Sequence, residues 1–180
     1  MTASRQPGHS PEDISAQATV MRPFPFVELV ELLEFNRLRL DAPQTDTTAG
    51  NGDPIVGTQD WLLGGADSAA DNCDVFVCST VGALQHALFP PEDTQLRIDM
   101  STENRLQVRA VQPATQRSDD DSTWLRVDIH ALIRRVLVPA TAPAHLYDLI
   151  KHIVVARLWV DVARLPTAGL VQQARVAHPA

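Results

Sequence analysis

Nowhere does the sequence run about eighteen apolar residues without a charge, the length a membrane-crossing helix needs. Its opening stretch, MTASRQPGHSPEDISAQATVM, has no apolar core behind a basic segment, so neither export nor a membrane span is expected and the predicted location is cytoplasmic. Cysteine is scarce. Only Cys73 and Cys78 occur, and a chain of 180 residues with 44% hydrophobic content can build a core without a disulfide, which predicts reduced thiols. Lysine is nearly absent, Lys151 standing alone among 15 basic residues. Positive charge is in deficit as well: a net charge of -7 repels phosphate backbones, so direct nucleic-acid binding is not expected, and an acidic surface suits solubility or a basic protein partner. There is no G-x-S-x-G turn and no G-x-x-x-x-G-K-[ST] loop, which removes the nucleophile-elbow hydrolases and the P-loop enzymes.

What is present suits one domain. Residues 1–22 are polar, carry Pro7 and Pro11 and lack periodic apolar positions, which predicts a flexible tail ahead of a domain over 23–180. From Phe24 to Leu40 the apolar residues fit a short strand running into a helix, and residues 41–58 collect the turn formers of a long loop. A helix is predicted over 68–88, with Val75, Val81, Leu84 and Leu88 on one face and Pro90-Pro91 stopping it. In TQLRIDMS and NRLQVRAVQ, Leu96, Ile98 and Met100 and then Leu106, Val108 and Ala110 alternate with polar neighbours, predicting a β-hairpin with one solvated face. WLRVDIHALIRRVLVP, from Trp124, reads as a strand, a helix or one of each. Pro143 opens a helix through PAHLYDLIKHIVVA, and RLWVDVAR with LVQQARV predicts a closing hairpin that packs Trp159 in the core.

Several groups of residues invite a chemical reading beside a plain one. Cys73, Cys78 and His86 are weighed as metal ligands, but five residues along a helix turn the two thiols about 140° apart, and buried thiols are the simpler reading. His145 and His152 flank Asp148 two turns apart, too distant to share an ion, and read as surface histidines. The run Asp119, Asp120 and Asp121 is either solvated or a contact for a basic surface. Trp124, Arg126, Arg134 and Arg135 combine the two residue types that give large contact energies at protein interfaces; core tryptophan with solvated arginines is the alternative.

Three stretches, AADNCDVFVCSTVGALQHAL, TQLRIDMSTENRLQVRAVQP and HLYDLIKHIVVARLWVDVARLPTAGLVQQARV, resemble the ATP-binding anti-sigma-factor serine-kinase family over residues 61–178. The resemblance implies the histidine-kinase-like ATPase fold: an α+β two-layer sandwich, a mixed and mostly antiparallel sheet with helices on one face. In that family a long helix carries a Glu and, four residues on, an Asn that holds magnesium and the phosphates of ATP. Matching His86 to the His that follows this pair puts Cys78 at the Glu and Gly82 at the Asn, and neither side chain can serve a hard ion. Gln112 falls at or near the Asp that reads adenine, beside Pro113 and Ala114 in place of glycines. The lid would span 114–144, which contains no glycine to cradle phosphate.

The implied function is regulation by binding, with a sigma factor or an anti-sigma antagonist as partner, a homodimer as the assembly, and ATP and magnesium dispensed with. Two other readings stay open: an ATP-dependent serine kinase with an unusual site, and an unrelated α+β interaction or assembly subunit.

Overall fold

The computed structural model describes residues 15–43, 54–64, 73–101, 104–112 and 124–165. They form an α+β structure on a mixed, mostly antiparallel sheet. Its middle is β1 (Thr19–Phe24), flanked on one side by β3 (Ile55–Leu63) and on the other by β4 (Val75–Thr80), both antiparallel to it. Beyond β3 lie β7 (Arg105–Val111) and β6 (Gln95–Ser101), and beyond β4 lie β9 (Arg135–Val138) and β10 (Asp161–Arg164), the last pair parallel. A second, three-stranded antiparallel sheet is made by β2 (Arg37–Arg39), β8 (Trp124–Val127) and β5 (Leu88–Phe89), in the order β2, β8, β5.

Helix α1 (Phe26–Phe35) buries Leu29, Leu32 and Leu33, the i, i+3, i+4 spacing of one helical face. Pro25 gives it no side-chain cap; the Asp74 carboxylate, next to β4, accepts from the Phe26 N–H at 2.8 Å instead. It ends at Asn36, whose left-handed backbone (φ 50°) turns the chain into β2. Helix α2 (Val81–Ala87) is capped by Thr80, α3 (Ile129–Leu132) by Asp128, and α4 (Ala144–Arg157) follows Pro143. All four helices and the inner side chains of the small sheet, Leu38, Leu88, Leu125 and Val127, bury into one cluster with Val20, Phe24, Trp61 and Val77 of the large sheet. The opposite face divides in two. Met21, Phe76 and Cys78 form an apolar cluster with Leu62 and Leu137, whereas β3, β7 and β6 carry a polar network in which Gln107 donates to Asp60 and Arg109 pairs with Asp99.

The hairpin β6/β7 stands where expected, with Leu106, Val108 and Ala110 buried and Asn104 in the left-handed turn. Other expectations are corrected. The tail expected over 1–22 gives way to the central strand from Thr19 on, with residues 1–14 outside the described ones. TVMRPF shows no alternation because both faces of a central strand are covered, and Arg22 lies buried beside Phe24, Glu28 and Asp41. The strand-then-helix expected over 24–40 is the end of β1 followed by α1, and the helix stops early, at Phe35, to give a further strand, β2. The 41–58 loop gives up residues 55–58 to β3, and Asp41 bridges Thr58; residues 44–53 lie outside the description. From Cys73 on, the long helix expected over 68–88 is β4 followed by the short α2, because the apolar run VFVC is buried on both sides and its spacing satisfied either period; residues 68–72 lie outside the described ones. The segment expected as a lid, 114–144, holds β8, α3 and β9 from residue 124 on, so WLRVDIHALIRRVLVP is strand, turn of helix and strand. Of the expected closing hairpin, the first stretch gives a strand at Asp161–Arg164, which pairs parallel with β9, and the second, LVQQARV, lies outside the described residues. Trp159, expected in the core, is 97% exposed, and Leu158 fills the core position beside it.

One buried polar side chain joins the sheets. Gln59 on β3 is 1% exposed; its Oε1 accepts from Trp61 Nε1 at 2.9 Å and its Nε2 donates to the Arg39 carbonyl of β2 at 3.0 Å. Gln59→Leu leaves a buried indole N–H and a carbonyl without partners, and should lower unfolding free energy in urea by about 1–3 kcal/mol, against well under 1 for a control at an exposed position such as Arg39→Gln.

Candidate functional site

The outer face of the small sheet gathers aromatic and arginine side chains. Strand alternation sends Leu38 and Leu125 inward and leaves Arg37, Arg39, Trp124 and Arg126 on the outside. Register sets Arg37 opposite Arg126, Arg39 opposite Trp124 and Phe89 opposite Arg126. The Arg37 guanidinium lies 4.3 Å from the Trp124 ring centre and 4.7 Å from that of Phe35 at the end of α1, a cation–π sandwich. Phe35 is 61% exposed and Phe89 51%.

Electrostatics sets this face apart. Arg22, Arg105, Arg109, Arg135 and Arg157 each have a carboxylate partner, and Arg164 donates to the Ala140 and Ala142 carbonyls. Arg37, Arg39 and Arg126 have neither an ion pair nor a side-chain hydrogen bond among the described residues; Arg97 on β6 and Arg134 ahead of β9 share that state, but one to an element, whereas this face gathers three. The two rings hold the Arg37 group by cation–π contact, which does not use up its N–H donors.

Beside this face a cavity of about 240 Å³ opens between α1, the β8–α3 turn and the end of α4, lined among others by Glu34, Asn36, Asp128, His130 and Arg157. Its charges are already engaged: Arg157 pairs with Glu34, and Asp128 Oδ1 accepts from the backbone N–H groups of His130 and Ala131. No model of a known protein family matches the chain, and no curated protein matches it.

The remaining candidates are scattered. Cys78 is on β4 and Gly82 in the first turn of α2, so the pair does not share one helix. Gly82 has a packing reason to lack a side chain: its N–H donates to the Ala16 carbonyl at 2.8 Å, and an added Cβ would stand 3.1 Å from that oxygen. Gln112 follows β7, and its amide donates to Thr94 at 3.0 Å. Since β7 runs opposite to β4 with β1 and β3 between them, Gly82 and Gln112 lie at opposite ends of the sheet. Arg134 and Arg135 belong to the large sheet, where Arg135 pairs with Asp161 at 2.9 Å, so they do not join Trp124 and Arg126. Asp119, Asp120 and Asp121 lie outside the described residues. Among those described, no three His, Cys, Asp or Glu side chains could hold a metal ion, and no helix is long and apolar enough to cross a membrane.

Trp124 and Arg126 of this face were singled out by the sequence, whereas Phe35, Arg37, Arg39 and Phe89 were not. The alternation in FNRLRL marks a strand with an arginine face, but read as helix it scattered the same residues.

Burial raises both thiols from 9.0 to about 11, helped at Cys73 by Asp74 and opposed at Cys78 by Arg135. A pKa higher in the folded state means that the neutral thiols add stability in full below pH 9, and that it is lost as pH rises through 11. Unfolding free energy should therefore fall between pH 9 and 11, and fall less in a Cys73→Ala/Cys78→Ala protein; equal slopes would show that the thiols titrate as in the unfolded chain.

Proposed function

We propose that the chain is a regulatory protein that acts by binding another protein through the outer face of β2, β8 and β5, without nucleotide chemistry. The observation that carries this reading is the Phe35, Arg37, Trp124 stack on an exposed sheet face. Trp and Arg are enriched where truncation costs most binding energy, and a pre-stacked guanidinium has less freedom to lose on contact. The partner class, a sigma factor or an anti-sigma antagonist, comes from the resemblance over residues 61–178, as do the homodimer and the histidine-kinase-like ancestry. The separation of Gly82 from Gln112 favours binding over phosphoryl transfer, since one nucleotide cannot use both.

Affinity capture of the tagged full chain from its native host, with mass spectrometry of what co-purifies, tests this reading. A sigma factor or antagonist should be recovered with the unaltered protein, and recovery should fall about tenfold or more with Trp124→Ala and with Arg126→Glu. Recovery that ignores both substitutions, or no specific partner at all, sinks the proposal.

A further inference from the structure

Resting on that protein-binding reading, we infer that the segment seated on β2, β8 and β5 is an extended acidic stretch of the partner, of the form Glu-x-Glu with an apolar side chain beside it. The guanidiniums of Arg37, Arg39 and Arg126 converge on this face with no carboxylate among the described residues to neutralise them, in a chain whose net charge is -7. Arg37 and Arg39 are two residues apart on one strand, about 7 Å at roughly 3.3 Å per residue, which is also the spacing of residues i and i+2 in an extended partner. Two carboxylates so spaced meet two guanidiniums without bending either chain. Arg37 is held by the Phe35 and Trp124 rings and keeps its terminal N–H donors, and a guanidinium whose position is restrained suits bidentate carboxylate contact. Its Nε is buried without a hydrogen-bond partner, so its outer nitrogens are the ones left to receive an acceptor. Phe89, opposite Arg126 and half exposed, supplies the apolar contact. A nucleic acid would also present anions to these arginines, but it would carry its phosphates toward a chain of like overall charge.

The test uses the full chain and fluorescence anisotropy with a fluorescein-labelled peptide that alternates glutamate with serine between two phenylalanines. The same peptide with glutamine for glutamate and a fifteen-nucleotide oligothymidylate are the comparisons. The glutamate peptide should bind, weaken on raising salt, and bind about tenfold or more tighter than the glutamine peptide. Arg39→Gln and Arg126→Gln, both at exposed positions that leave the core intact, should each weaken it, and Arg97→Gln should not. Equal binding of the two peptides, no binding of either, or tighter binding of the oligothymidylate overturns the inference. An affinity that rises about tenfold in the Asp119→Asn/Asp120→Asn/Asp121→Asn variant also overturns it, by assigning the face to the chain's own acidic run. A partner whose recovery depends on Trp124, but whose crosslinked segment lacks carboxylates, overturns the acidic segment and leaves the protein-binding reading in place. No Trp124-dependent partner overturns the reading beneath it.

Discussion

Gln59 occupies a place where an apolar side chain would be the cheaper choice in isolation, and the relation between the two sheets depends on it. Its two hydrogen bonds fix the Trp61 indole on one side and the Arg39 backbone on the other. Buried amides are tolerated only when satisfied, so this one specifies where β2 sits as much as it stabilises the core. The Asp41 and Thr58 backbone bonds, at 2.8 and 2.9 Å, extend the same attachment by one bridge. With β2 held there, β8 pairs with it and β5 with β8, and the outer face follows from alternation alone.

The buried Arg22 shows the same economy of charge in a different setting. Desolvation lowers its pKa, and Asp41 and Glu28, at 3.6 and 3.9 Å, oppose that shift across distances too long for tight ion pairs. Its guanidinium also lies 4.8 Å from the Phe24 ring centre. Replacing a buried ion pair by apolar groups is often neutral, so stability alone does not explain retaining Arg22; its tie to Asp41 holds the end of β2 from the core side. Two arginines thus serve two ends, Arg22 inside as an anchor and Arg37 outside as a contact, and in both an aromatic ring supplies the surface that water cannot.

How much of this was legible follows from how each element is covered. The β6/β7 hairpin and α4 could be read because each has one wet side, which imprints a period on the sequence: two in LRIDM, near 3.6 in LYDLIKHIV. β1 and β4 could not. Both lie in the middle of the sheet with apolar groups on both faces, so VFVC looks like any buried run and TVMRPF, with a charge and a proline, looks like a tail. The site was half legible for a related reason. Trp124 and Arg126 sit in a segment whose period was ambiguous but whose composition was not, whereas Arg37 and Arg39 were hidden by Asn36, where one left-handed residue ends a helix and starts a strand with no proline or glycine to announce it.

The near absence of lysine bears directly on the face. An ammonium is a point charge on a flexible stem and is strongly hydrated; held between two rings it would lose much of that hydration and have no flat surface to offer in return. A guanidinium can be stacked on both faces by Phe35 and Trp124 and still donate in its own plane. The same geometry explains why the face can be cationic in an acidic protein without being quenched internally. Carboxylates that the fold brings near arginines elsewhere, Asp60 on β3, Asp99 on β6, Glu34 on α1 and Asp161 on β10, are each already opposite an arginine of their own. Arg37, Arg39 and Arg126 stay unpaired because β2, β8 and β5 carry no acidic residue at all, and a face built from six side chains of only three kinds, Phe, Trp and Arg, has nothing with which to satisfy itself.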